Sequence, residues 1–88
     1  MTYTVILRKE PEGTYTVLVP ALPGCLTFGE TVEEALEMAR EAIGLYLEVL
    51  QEDGDPIPDD NPQVLVDMRQ AKEARVYRIA LQKAAAVA

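Results

Sequence analysis

The segment from Thr31 to Gly54 decides what the rest of the chain must do, because both of its ends carry helix signals and its length is large for so small a protein. Thr31 with Glu34 three residues on is a capping box, which meets two of the N–H groups that a helix start leaves orphaned. Gly54 offers a left-handed cap and Pro56 prevents the helix from resuming, so a helix is expected over 32–53. Such a helix is about 33 Å long. Val32, Ala35, Leu36, Ala39, Ile43, Tyr46 and Leu50 recur at helical spacing and form an apolar stripe that must lie on something. A second stripe, Met38, Ala42, Leu45 and Val49, widens the apolar surface beyond what one sheet face needs. That surplus points either to another contact, with a copy of this chain or a partner, or to cover by the C-terminal segment.

The surface beneath the helix is expected to be a sheet, since the preceding residues carry strand and turn patterns. Tyr3 to Arg8 alternates, with Tyr3, Val5 and Leu7 on one face and Thr4, Ile6 and Arg8 on the other. Glu10-Pro11-Glu12-Gly13 reads as a turn. Tyr15, Val17 and Val19 form the next strand face, and Pro20, lacking an N–H, ends that strand. Pro23-Gly24 supplies the fixed and the permissive φ of a tight turn. Cys25 to Phe28 returns as a third strand, for which either Cys25/Thr27 or Leu26/Phe28 suits the core. Gly29 lets the chain swing from sheet to helix.

Beyond Gly54, Ile57 to Pro62 reads as an extended connector. Asn61 and Pro62 can open a short second helix over 62–74. The run Val64-Leu65-Val66 also suits a strand, though the helix is favoured. Arg75 to Leu81 reads as the last strand. The expectation is one α+β domain over 1–83 with a frayed tail over 84–88. It comprises a three-stranded antiparallel meander, a long helix, a short second helix and a final strand.

Charge narrows the function classes. The net charge is −7, with 49% apolar residues, which excludes disorder and argues against broad nucleic-acid binding. Residues 1–68 hold three basic and fourteen acidic side chains, whereas 69–88 hold five basic and one acidic. The basic end is open to two readings, a tail for DNA or a strand pairing with an acidic body, and the second is favoured because its charges are scattered. No apolar run approaches the roughly 20 residues of a membrane span, and nothing at the N-terminus resembles a signal peptide, so a cytoplasmic protein is expected.

The chain has no histidine, which removes the commonest general base and metal ligand. Its one cysteine, Cys25, has no thiol partner for a disulfide or a zinc site. Asp53, Asp55, Asp59 and Asp60 cluster, but without the ligand spacing of a calcium loop, and they read as solvated caps and turn formers. No catalytic residue, metal site or cofactor is expected.

Three blocks carry a family resemblance: Val19-Pro20-Ala21-Leu22-Pro23-Gly24-Cys25, then Gly29-Glu30-Thr31-Val32-Glu33-Glu34-Ala35, then Glu52-Asp53-Gly54-Asp55-Pro56-Ile57-Pro58. At this spacing the chain resembles the HicB-like antitoxins. The resemblance implies a partial ribonuclease H-like fold and a non-enzymatic role, binding and silencing a small basic RNA-cleaving toxin of the HicA type. It matches the short form, without an added DNA-binding domain, so direct DNA binding is not expected. A homo-oligomer is expected alongside the toxin. The docking surface assigned from the residues is the turn at Pro20, Leu22, Pro23 and Gly24 together with Glu33, Glu37 and Glu41. Rigid prolines lose little entropy on binding, and carboxylates suit a cationic partner. Two other readings stay open: an orphan oligomeric scaffold, and a residual metal-dependent nuclease. The nuclease is disfavoured because such folds place a metal-binding carboxylate on the first strand, and residues 1–9 contain none.

Overall fold

A computed structural model describes residues 1–60 and 74–81. Four strands, β1 (Thr2–Lys9), β2 (Tyr15–Leu18), β3 (Leu26–Gly29) and β4 (Ala74–Ala80), form one sheet in the order β3-β2-β1-β4. Every neighbouring pair is antiparallel. The final strand therefore returns to the far side of β1 and makes the sheet four-stranded. The long helix, α1 (Val32–Asp53), has the bounds its caps announce. The second helix expected over 62–74 falls on residues outside those described, except Ala74, which opens β4.

The core lies between one sheet face and α1. Tyr3, Val5 and Leu7 of β1, Val17 of β2 and Ile79 of β4 are buried against Ala35, Ala39, Ile43 and Leu47 of the helix. The two alanines let the helix come close, while Val32, Leu36, Tyr46 and Leu50 pack at its margins, half-buried. Leu47 stands outside the expected stripe yet is a core residue, one helical turn beyond Ile43.

The open question of β3 is settled by register. Thr27 pairs with Val17, which faces the core, so Thr27 turns inward with its i±2 neighbours Cys25 and Gly29. Leu26 and Phe28 turn outward, and Phe28 is 70% exposed. Gly29 stands where the chain passes from sheet to helix, and its surroundings add a reason for the glycine. Its φ is not positive; what it provides is room, because a Cβ there would lie 2.5 Å from the backbone nitrogen of Ala35. The end of β3 is pressed directly against the first turn of α1.

Both helix caps form. Thr31 Oγ1 accepts from the Glu34 N–H at 3.0 Å, and Glu34 reaches back to the N–H of Glu30 at 3.2 Å. At the other end Gly54 is left-handed, with φ 74°. Its N–H donates to the Gln51 carbonyl at 3.2 Å, and the Asp55 N–H donates to Leu50 at 2.9 Å, the paired bonds of a Schellman cap.

The connector after the helix is tied to β1. Because β2 ends at Leu18, which pairs with Ile6, the N–H of Thr4 has no strand partner on that side. Asp60 takes its place: the carboxylate accepts from the Thr4 N–H and from its hydroxyl, each at 2.8 Å. The Tyr3 hydroxyl donates to the Pro58 carbonyl, and Ile57 packs on the core. Asp60 is thus a structural tie to β1, correcting its reading as a solvated turn former. It also explains why Thr4, on the helix-free face, is buried.

Candidate protein-binding surface

Residues 19–25 form a compact turn closed by its own backbone. The Leu22 N–H donates to Val19 at 3.0 Å and the Cys25 N–H donates to Leu22 at 2.9 Å. Leu22 is fully buried and holds the turn from beneath, so of the turn residues assigned to docking, Pro23 and Gly24 present the exposed surface and Pro20 is half-buried. Gly24 has φ 83°, the left-handed value that a bulkier residue resists. A further tie was not visible in the chain's pattern. The Tyr46 hydroxyl donates to the Pro23 carbonyl at 2.8 Å and clamps the turn to the middle of α1. A tyrosine at the margin of an apolar stripe, with its ring packed and its hydroxyl outward, is the signal that could have suggested it.

Glu33, Glu37 and Glu41 are all exposed on α1. They advance about 40° around the helix at each step of four residues. Glu41 stands five residues from Tyr46, about 7.5 Å along the axis and about 140° around the helix, so it faces away from the clamped turn. Glu33 stands thirteen residues from Tyr46, about 20 Å away, so it belongs to the far end of the same ridge. Glu48 and Glu52 extend that ridge toward the C-terminus. No helix carboxylate on this ridge has an ion-pair partner among the described residues; the ion pair there is Arg8 with Glu10, at 2.8 Å. That hydrogen bond from Arg8 holds the Glu10 carboxyl below its usual range.

The helix-free face of the sheet carries a different surface. Register places Leu26, Leu18, Ile6 and Val76 side by side, one aliphatic residue from each of the four strands. Phe28 stands in the adjoining row opposite Thr16.

Among the described residues, Cys25 is the one thiol. Cys25 is buried, and burial raises its thiol pKa, which suits an inert packing residue. Among the described residues no three acidic or cysteine side chains are placed to share a metal ion, and no helix is long and apolar enough to cross a membrane.

Comparison with known proteins places this fold. A solved complex of the toxin HicA3 with the antitoxin HicB3 contains a chain that superposes with a TM-score of 0.72 at 23% identity, covering 93% of this chain and 99% of that one; at such identity it shows the shared fold. A protein of Thermoplasma acidophilum known as UPF0150 protein Ta0767 is 51% identical over 63 residues, covering 72% of this chain and 91% of its own length. The antitoxin HicB of Escherichia coli K12 is 42% identical over 62 residues, which are 70% of this chain but only 45% of that antitoxin. The model of the HicB-like antitoxins of bacterial toxin–antitoxin systems matches residues 3–83, nearly the whole chain, and the protein belongs to that family.

Proposed function

We propose that this chain is an antitoxin that binds a small, basic, RNA-cleaving toxin and neutralises it through protein–protein contact. The observation that carries this reading is the acidic ridge of α1, with Glu33, Glu37 and Glu41 exposed and unpaired among the described residues. A toxin that cleaves RNA needs a cationic surface for phosphate, and a carboxylate ridge on a preorganised domain is a fitting cover for it. The named complex of HicA3 with HicB3 supports a toxin of the HicA type as the partner. The turn contributes rigidity through Pro20 and Pro23, with Leu22 anchoring it, so that little entropy is lost on docking.

The test is to pull this chain down from its native extract at about 150 mM salt, where weak surface attraction is largely screened. Whatever co-elutes is then assayed for RNA cleavage. A small basic protein that cleaves RNA only after the chain is stripped from it supports the reading. A chain that elutes with no stoichiometric partner counts against it.

Self-association is a second reading, compatible with the first, and the aliphatic row Leu26–Leu18–Ile6–Val76 on the helix-free face favours it. Sedimentation of the purified chain over a range of concentrations measures it directly.

A further inference from the structure

Met38, Ala42, Leu45 and Val49 succeed one another on α1 at steps of four, three and four, the spacing of a single straight seam on a helix. The seam starts at the core's margin, where half-buried Ala42 packs, and turns away from it: Leu45 lies about 160° around the helix from buried Leu47. Leu45 and Val49 are 58% and 54% exposed, and Met38 is 37% exposed. The seam runs for about 16 Å, three turns, which is the footprint of one crossing helix rather than of an extended strand.

What borders the seam decides its occupant. Its outward side carries Glu41, Glu48 and Glu52, and none of the three has a hydrogen-bond or ion-pair partner among the described residues. A second copy of α1 laid antiparallel on this seam would bring its own carboxylates against them, and laid parallel it would offer them the margin around Tyr46, which carries no cation. An anionic membrane surface is disfavoured for the same reason. A helix whose apolar residues meet Leu45 and Val49, and whose flanks carry Lys or Arg, satisfies both parts of the surface. The helix-free sheet face is also apolar, but its charges are mixed, with Arg78, Arg8 already paired to Glu10, and the Asp60 carboxylate bound to Thr4.

We infer that the Met38–Ala42–Leu45–Val49 seam is the docking site for a cationic amphipathic helix of the toxin, with Glu41 and Glu48 pairing to its basic flank. This rests on the antitoxin reading above, and names the element of the partner and the residues that receive it. It adds a mechanism: the same cations that pair with Glu41 and Glu48 would no longer be available to RNA phosphate.

The experiment uses the full chain and two probes. The first is the purified toxin recovered with this chain, its affinity measured for wild type, Leu45→Lys, Glu48→Lys and, as a sheet-face control, Phe28→Lys. All three positions are exposed, and circular dichroism melts confirm that the variants fold. The expected result is a loss of about tenfold or more for Leu45→Lys and for Glu48→Lys, with Phe28→Lys unchanged. The second probe is a synthetic helical peptide with leucines at steps of four, three and four and lysine flanks, followed by amide NMR shifts of this chain. Shifts centred on Ala42, Leu45 and Val49 support the seam. If the toxin binds wild type and all variants alike, or is lost only with Phe28→Lys, the seam is overturned while the antitoxin reading stands. If the toxin fails to bind wild type at all, that reading falls. The peptide then decides the seam: shifts there sustain a cationic-helix site, and their absence overturns it.

Discussion

Replacing Gly29 by alanine is expected to damage this fold far more than one methyl group suggests. A Cβ at Gly29 would lie 2.5 Å from Ala35 N, 2.7 Å from Ala35 Cα and 3.0 Å from Glu34 C. All three are backbone atoms, so no side-chain rotation relieves the overlap. Reaching ordinary contact requires the first turn of α1 to move away from β3 by about an ångström, an overpacking cost of ~1–3 kcal/mol. Glu34 also takes part in the cap through Thr31, and disturbing it adds about 1 kcal/mol. The combined loss of roughly 2–4 kcal/mol lowers Tm by at least about 8 °C in a domain of this size. Gly44 is the internal control, exposed in the middle of the same helix with nothing within 4 Å of a built Cβ. Alanine there is expected to stabilise by about 0.5–1 kcal/mol through helix propensity. Urea unfolding of both variants, compared at constant m-value, separates the two signs. A Gly29→Ala midpoint equal to or above wild type would refute the close approach of β3 to α1.

Four further outcomes follow from named contacts. Asp60→Ala leaves the Thr4 N–H and hydroxyl without their acceptor and is expected to cost about 1–3 kcal/mol in urea unfolding; no change would show that the tie carries nothing. Tyr3 has its phenol pKa raised by burial and by the nearby carboxylates Asp59 and Asp60, so the neutral phenol is the form the fold favours. Its stabilising contribution is complete below the unfolded value of about 10 and is lost as pH rises through the folded value; Tyr3→Phe should flatten that part of the stability profile, and an unaltered alkaline slope would count against it. Cys25, buried and with a raised thiol pKa, should react with an aromatic disulfide reagent only at the rate of unfolding, whereas immediate labelling would place it at the surface. Tyr46→Phe should leave the core intact but release the Pro23 turn, raising amide exchange at Leu22 and Cys25; unchanged exchange would mean the turn holds itself.

How legible the molecule was depended on whether a feature is local. Thr31, Glu34, Gly54 and Pro56 are neighbours of the helix ends they set, and the helix bounds could be read from them directly. Strand periodicity likewise identified Tyr3, Val5 and Leu7 as the inward face of β1. What could not be read is what depends on register across the sheet. The outward turn of Leu26 and Phe28 runs against their hydrophobicity, and follows only once Thr27 is known to sit opposite Val17. Asp60 meets Thr4 from 56 residues away, and no short-range pattern marks an aspartate destined to cap a strand edge. Of the residues assigned to docking, exposure could be read only in part. The acidic positions are exposed where the helix pattern put them, but Leu22 proved to be the buried anchor of its turn, and the clamp by Tyr46 emerged only in three dimensions.

These features give the proposed antitoxin a simple division of labour. The sheet and the core stripe of α1 hold a rigid platform, the capped helix displays carboxylates along its outer side, and Tyr46 holds the Pro23 turn against the same helix. Because the attraction is electrostatic in large part, association should slow as ionic strength rises, and reversal of Glu37 and Glu41 to lysine should weaken both affinity and its salt dependence.

The most direct test of the central claim is a neutralisation titration. The toxin recovered with this chain is held at fixed concentration with a labelled RNA, and the purified chain is added in steps. Cleavage that falls linearly and ends at a fixed molar ratio, with one complex on gel filtration, is the predicted result. Undiminished cleavage in the presence of excess folded chain would contradict it.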